Sequence, residues 1–276
     1  MVLVDGKALR DRFLQSLKLE IQEKSLQPHL AIVLVGDDEA SLRYIKQKQK
    51  AAVEIGAQTT LIELPGNIDQ EPLEAEISRL DKDKKVTGII VQLPLPENLD
   101  KEKIFSSISQ EKDVDGLRPD SPYTSAAPAA VMEILQEYKV SLKGKTAVVL
   151  GSSGFVGLRL VGLFKKEQAQ VVEIDENTQP RIDNLVQKGD IVVSAVGKPN
   201  LVTADMIKNG ATVIDVGFNT DPQTGKLVGD VDFEAVKEKA SLISPVPGGV
   251  GPVTVAILMK NLVSASEEVQ GPALSS

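Results

Sequence analysis

The chain has no cysteine and a single histidine among its 276 residues. Without thiols there is no disulfide, no thiol nucleophile and no thiolate metal site. With His29 standing alone, neither a His-based triad nor a zinc cluster is to be expected, so no metal site is assigned. His29 directly follows Pro28 and precedes an apolar run, which suits a structural role. No run of eighteen apolar residues offers a membrane span. The opening "MVLVDGKALRDRFL" also lacks the basic-then-apolar layout of a signal peptide, so a cytoplasmic location with no membrane partner is expected. Basic residues are in the minority: 31 Lys and Arg against 39 Asp and Glu leave a net charge of −8. That balance argues against general nucleic-acid binding, which needs a basic surface to neutralise phosphates. An anionic small substrate would instead need a local basic group.

What is present is ordinary for a soluble globular protein: 42% hydrophobic and 25% charged residues. The length lies near the point where one core gives way to two domains. Short β-branched runs at 30–36, 88–94, 146–151, 171–175, 190–197 and 211–218 read as strands buried on both faces. Amphipathic stretches at 5–25, 40–56, 128–138, 155–167 and 252–264 read as helices, and the tail "SASEEVQGPALSS" reads as partly loose. Strand and helix in alternation predict an α/β protein with parallel sheets. A boundary is expected at "KVSLKGKTAVVLG", giving an N-terminal α/β catalytic domain (1–138 with 253–276) and a Rossmann-type dinucleotide-binding domain (139–252), with a cleft between them.

"VVLGSSGFVGLRLVGLF" is a strand, a turn with Gly151, Gly154 and Gly157, then a helix. Glycines let backbone approach a pyrophosphate, and a helix N-terminus supplies donors and positive potential. The next strand ends at Asp175, about where an acid meets the adenosine ribose, some 20 residues on. A tight turn with an exposed acid is the plainer alternative. A carboxylate at that place favours NAD over NADP, and Glu173 and Glu176 would add to the negative field. "SAVGKPN" (194–200) and "IDVGFN" (214–219) place glycines just past strand ends, at the ligand-binding edge of an open sheet.

"YIKQK" places Tyr44 and Lys48 four apart, on one helical face. Such a pair is common on exposed helices and proves little alone. "VQLPLP" (91–96) ends a buried strand in polar Gln92, "KDVDG" (112–116) sets two acids beside a turn glycine, and "SPVPGGVGPVTVAILM" (244–259) carries rigid, close-approach backbone into an apolar helix. Turns without a ligand would also account for these.

Taken together, "LVGDDEASLRYIKQKQKAAVEIG", "GIIVQLPLP", "KDVDG", "DIVVSAVGKP", "VIDVGFN", "GDVDF" and "PVPGGVGPVT" resemble, in order and nearly end to end, the motifs of the FolD family, bifunctional methylenetetrahydrofolate dehydrogenase/methenyltetrahydrofolate cyclohydrolase. The resemblance implies one-carbon folate chemistry feeding purine biosynthesis, tetrahydrofolate derivatives and NAD or NADP as ligands, and a homodimer. It implies that Lys48 is the catalytic lysine, that Tyr44 stacks on the folate, that Gln92 tunes the lysine and that Asp115 holds the pterin. It further implies that Pro94, Pro247, Gly248 and Gly249 line the folate, and that Gly151, Ser152, Ser153, Gly157, Asp175, Ala195, Val196, Gly197, Asp215 and Gly217 hold the cofactor.

Three departures stand out. The segment after "DVDG" is shorter than is usual in the family and reads "SAAPAA"; Ser152 stands where an arginine is common, with Arg159 where proline is usual; and Asp175 replaces a histidine. Losing an arginine and gaining an acid both favour NAD. The short segment leaves open a dehydrogenase with weak or absent cyclohydrolase activity, or a non-catalytic nucleotide-binding paralogue. A shikimate-type dehydrogenase would share the glycine turn but not "PVPGGVGPVT".

Overall fold

The computed structural model describes residues 1–175, 182–221 and 225–270. The chain forms two compact units. One comprises Arg10–Ala126 with Val255–Ser276, the other Met1–Leu9 with Ala127–Thr254.

The first unit is built on a parallel three-stranded sheet in the order β3-β2-β4, from β2 (His29–Val35), β3 (Gln58–Leu64) and β4 (Gly88–Val91). Helices α2 (Glu39–Ile55) and α3 (Gln70–Lys82) make the two crossovers. β2 and β4 carry buried side chains on both faces, as their unbroken apolar runs require. β3 was not legible in the sequence: "QTTLIEL" is an edge strand, only half-buried, with polar residues interleaved. His29 is structural here, its Nε2 lying 2.8 Å from Thr60 Oγ1 across the β2–β3 pair.

The second unit holds a six-stranded, all-parallel sheet in the order β1-β11-β8-β7-β5-β6. Its strands are β1 (Val2–Leu3), β5 (Thr146–Leu150), β6 (Gln170–Ile174), β7 (Ile191–Ser194), β8 (Thr212–Asp215) and β11 (Leu242–Ile243). The first residues pair with β11, Val2 beside Leu242, so they belong to this sheet, whereas the sequence grouped them with the other domain. A two-residue strand leaves no periodicity to read. An antiparallel pair, β9 (Asn219–Thr220) with β10 (Leu227–Val228), and helices α6 (Phe155–Lys166), α7 (Ile182–Val186) and α8 (Phe233–Val236) complete the unit.

Three further helices are α1 (Gly6–Glu23), α5 (Ala126–Glu137) and α9 (Val250–Gln270), and a short α4 (Lys101–Ser106) precedes the "KDVDG" turn. "SAAPAA" is the entry to α5, with Ala126 and Ala130 buried. α9 continues to Gln270, through the first part of the tail that the sequence reads as partly loose. Ser266 is buried and donates to Leu262 O, and its Oγ lies 3.0 Å from Thr87 Oγ1, so small polar residues read as loose are packed. Residues 271–276 lie outside the described residues.

Candidate functional site

Helix α2 starts at Asp38, whose carboxylate accepts the Ser41 N–H at 2.7 Å, and stops at Gly56 in the left-handed region. Its buried face is Ser41, Ile45, Lys48, Ala51, Ala52 and Ile55, at helical spacing. Lys48 thus occupies a core position and is only 6% exposed. A buried ammonium costs several kcal/mol unless it is compensated. Burial accordingly lowers the Lys48 pKa from the usual lysine range, against the opposing pull of the Asp115 charge.

Lys48 Nζ donates to Gln92 Oε1 at 3.1 Å and lies 5.6 Å from the centre of the Tyr44 ring. Gln92 is held for this contact: its backbone N–H donates to Val33 O at 2.8 Å and its Nε2 to Leu93 O at 2.7 Å, which aims Oε1 at the lysine. Burial around the Tyr44 hydroxyl, with the Asp115 charge adding to it, pushes that phenol up to about 12, so it stays protonated at neutral pH. Pro94 is exposed two residues past Gln92.

Asp115 sits in a turn held from beneath. Asp113, fully buried, accepts the Leu117 and Arg118 N–H groups at 3.1 and 2.9 Å. Lys112 donates to the Asp81 and Asp83 carbonyls at the end of α3. Gly116 has φ +63°, and a Cβ there would come 2.6 Å from Tyr123 O, so the turn demands glycine. The structure therefore brings Tyr44, Lys48, Gln92 and Asp115 together within one unit. The positioning roles of Asp113 and Lys112 were missed, because a buried acid and a buried lysine in a charged stretch look like surface residues in sequence.

In the other unit, strand register aligns Leu150 with Ile174 and Ser194, and Ser194 with Asp215. Gly151, Asp175 and Ala195 therefore emerge at one carboxyl edge, where β5 is flanked by β6 and β7 and the strand order reverses. Gly151 has φ +80°; a Cβ there would sit 2.5 Å from Ala195 O, and one on Gly157 would sit 2.1 Å from Gly151 O. Gly154 begins α6 with no side chain over its first N–H groups. A tight glycine turn, an uncapped helix start with Ser153 exposed beside it, and an acid on the neighbouring strand fit a dinucleotide. Ser152 is buried, with its N–H on Ile174 O. Glu173, expected to add to a negative field, pairs at the surface with Lys165 Nζ at 2.6 Å. Glu176 lies outside the described residues.

Asp215 and Asp230 are buried side by side at this edge. Asp215 accepts the N–H groups of Gly217, Asp230 and Val231, and a Cβ on Gly229 would strike its Oδ2 at 1.9 Å. Asp230 accepts from Ser194 Oγ, from the N–H groups of Val196, Gly197 and Lys198, and from Asn219 Nδ2, while a Cβ on Gly217 would strike its Oδ1 at 2.2 Å. Burial pushes Asp215 up to about 6. The Asp215 carboxylate is thus occupied by backbone N–H groups of its own unit, and Gly217 gives the Asp230 carboxylate room. Asp230, not singled out in the sequence, is the hub that holds the 195–198 loop.

Pro247, Gly248 and Gly249 belong to this same unit. They press on the chain start: Gly6 N–H donates to Gly248 O at 3.0 Å, and a Cβ on Gly6 would meet Gly249 O at 1.8 Å. A cavity of about 240 Å³ opens at the opposite, amino ends of β5, β7 and β8, lined by Lys145, Asp190 and Lys208 and by none of the candidate site residues. Among the described residues no helix is long and apolar enough to cross a membrane, and no group of three or more His, Asp or Glu could hold a metal ion.

Comparison with known proteins agrees with this geometry. Residues 4–115 match the catalytic domain of tetrahydrofolate dehydrogenase/cyclohydrolase, and residues 125–270 match its NAD(P)-binding domain. The bifunctional protein FolD of Methanoculleus marisnigri is 42% identical over 275 residues, covering 96% of each chain. The crystal structure of the bifunctional FolD of Campylobacter jejuni superposes with a TM-score of 0.92 at 40% identity, covering 97% of this chain and 99% of that one. The FolD of Trypanosoma brucei, solved with NADP cofactor and inhibitor, gives 0.93 at 38% identity and covers 98% of both chains. The chain belongs to the tetrahydrofolate dehydrogenase/cyclohydrolase family.

Proposed function

We propose that Lys48 is the proton-transfer group of a bifunctional folate enzyme, that Gln92 orients it, and that Tyr44 and Asp115 receive the folate ring beside it. The reaction is oxidation of 5,10-methylenetetrahydrofolate to the 5,10-methenyl cation with NAD(P), followed by hydrolysis to 10-formyltetrahydrofolate. The observation that carries the residue assignment is a lysine buried on a helix face, its Nζ fixed on Gln92 Oε1.

NAD(P), when bound, supplies the hydride acceptor. Oxidation then asks the protein mainly for alignment, which a rigid turn and a flat aromatic ring provide. Hydrolysis asks for proton movement. Burial favours the neutral amine of Lys48, which takes a proton from the water adding to the cationic carbon. The resulting ammonium gives a proton to the ring nitrogen as the carbon–nitrogen bond breaks, and the net proton released goes to solvent. A nearby cationic substrate lowers the lysine pKa further, and Asp115 moderates that effect. Tyr44, protonated throughout, offers a neutral face and a hydroxyl.

Labour divides between the units: the three-stranded unit handles folate, and the six-stranded unit holds the cofactor through Ser153, Gly154, the start of α6 and Asp175. NAD is the preferred cofactor, because Asp175 would repel a 2′-phosphate and Ser152 offers no cation to meet one. A cytoplasmic homodimer supplying one-carbon units for purine synthesis completes the reading. Purified protein given methylenetetrahydrofolate with NAD and NADP in parallel tests it. Turnover mainly with NAD and running on to the formyl product supports all parts. Turnover mainly with NADP removes the cofactor preference, and methenyl accumulation without formyl product removes the role of Lys48.

A further inference from the structure

We propose that Asp230 is a positioning residue that sets the hydrogen-bonding polarity of the 195–198 loop, turning its carbonyls rather than its N–H groups toward the cofactor edge. The inference rests on the reading that this unit holds NAD(P).

Glycine-containing loops at strand ends usually offer N–H groups to anions. Here the anion is internal. The fully buried Asp230 carboxylate takes three consecutive N–H groups, those of Val196, Gly197 and Lys198, at 2.8, 3.2 and 3.0 Å. Gly197 at φ +76° lets three successive donors converge. In a trans peptide the C=O points opposite to the following N–H. The carbonyls of Ala195, Val196 and Gly197 therefore point away from Asp230. Ala195 O faces the glycine turn, lying 2.5 Å from where a Gly151 Cβ would stand.

The consequence is chemical. A loop that offers acceptors excludes the pyrophosphate, which can only accept, and receives groups that donate, such as ribose hydroxyls or a carboxamide. The carboxylate itself is held in place: Asp215 accepts the Asp230 N–H at 3.1 Å, and Gly217 leaves room for Oδ1. Ser194 Oγ, at 2.8 Å from Oδ2, also braces the carboxylate but takes no part in orienting the loop peptides.

Two experiments test this. Amide hydrogen exchange of the cofactor-free wild-type protein is expected to show Val196, Gly197 and Lys198 protected, with little change on adding NAD or NADP. Exchange at open-loop rates until cofactor is added would overturn the proposal, and this measurement needs no variant to fold. Calorimetric titration with NAD and NADP then compares Asp230→Asn with Ser194→Ala. The first is expected to weaken binding at least tenfold. The second is expected to lower the melting temperature while leaving Kd within about twofold. Unchanged affinity in Asp230→Asn, or equal weakening in both, would reduce Asp230 to a general stabilising role. If wild-type protein binds neither NAD nor NADP, the cofactor reading itself fails and the proposal with it.

Discussion

Lys48 and Gln92, 44 residues apart in the chain, meet with Nζ on Oε1 at 3.1 Å, and the glutamine amide is already braced by the Leu93 carbonyl. The lysine is therefore met by a neutral acceptor. That combination keeps it buried without fixing its charge, the condition a base working near neutrality needs.

Substituting Lys48 by Met is expected to cut hydrolysis of the methenyl substrate by about 10²–10⁴-fold, the usual contribution of a general base. Folate binding should persist, because the thioether keeps the packing volume of the lysine stem. Single-turnover hydrolysis and equilibrium folate binding, measured on the same preparation, separate the two effects. Unchanged hydrolysis would remove Lys48 from the mechanism.

Gln92→Glu would put a carboxylate against the amine and raise the lysine pKa. The acidic limb of the pH–rate profile for hydrolysis should move to higher pH by about one unit or more, with rate recovered in alkaline buffer. A profile lowered uniformly at all pH values would point to lost geometry instead.

Asp215 offers a stability test with a definite sign. Burial raises its carboxyl from 3.8 to about 6, so between those values the folded chain holds a proton that the unfolded chain has released. This stabilisation is complete below about pH 4 and is lost as pH rises through about 6. In urea titrations across pH 4 to 7, wild-type protein should lose up to about 3 kcal/mol relative to Asp215→Asn. A difference that stays flat with pH would contradict the raised carboxyl.

Two glycines should respond in opposite directions. At Gly217 a methyl would lie 2.2 Å from Asp230 Oδ1, so Gly217→Ala should cost about 1–3 kcal/mol or more through overpacking. Gly162, exposed within α6 with nothing near its would-be Cβ, should gain about 0.5–1 kcal/mol on becoming Ala. Chemical denaturation of both variants settles each sign.

Asp175→Asn should shift cofactor choice toward NADP, because it removes the charge that a 2′-phosphate would face. The readout is the ratio of kcat/KM for NADP to that for NAD, expected to rise about tenfold or more, since 1.4 kcal/mol of repulsion corresponds to a factor of ten. An unmoved ratio would mean that another group selects the cofactor.

The alternation of β-branched runs with amphipathic stretches was enough to determine a parallel α/β protein, because strands buried on both faces must be apolar along their length. The glycine turn after β5 and the acid after β6 were legible for a similar local reason, since only certain residues tolerate those backbone positions. Short-range patterns could not show β1 and β11, two residues each, which exist only because a neighbouring strand pairs with them. Nor could they show β3, whose half-buried edge position mixes polar and apolar residues. Lys48 stood in a run of lysines and was marked by its motif surroundings, while the i,i+4 spacing to Tyr44 left its burial open. The distinction came from the helix phase that turns it to the core and from Gln92, brought by β4 to meet it. Asp230 lay within the quoted "GDVDF", but its role was not legible: its five donors come from Ser194, the 196–198 backbone and Asn219, which only the folded sheet edge gathers around one carboxylate.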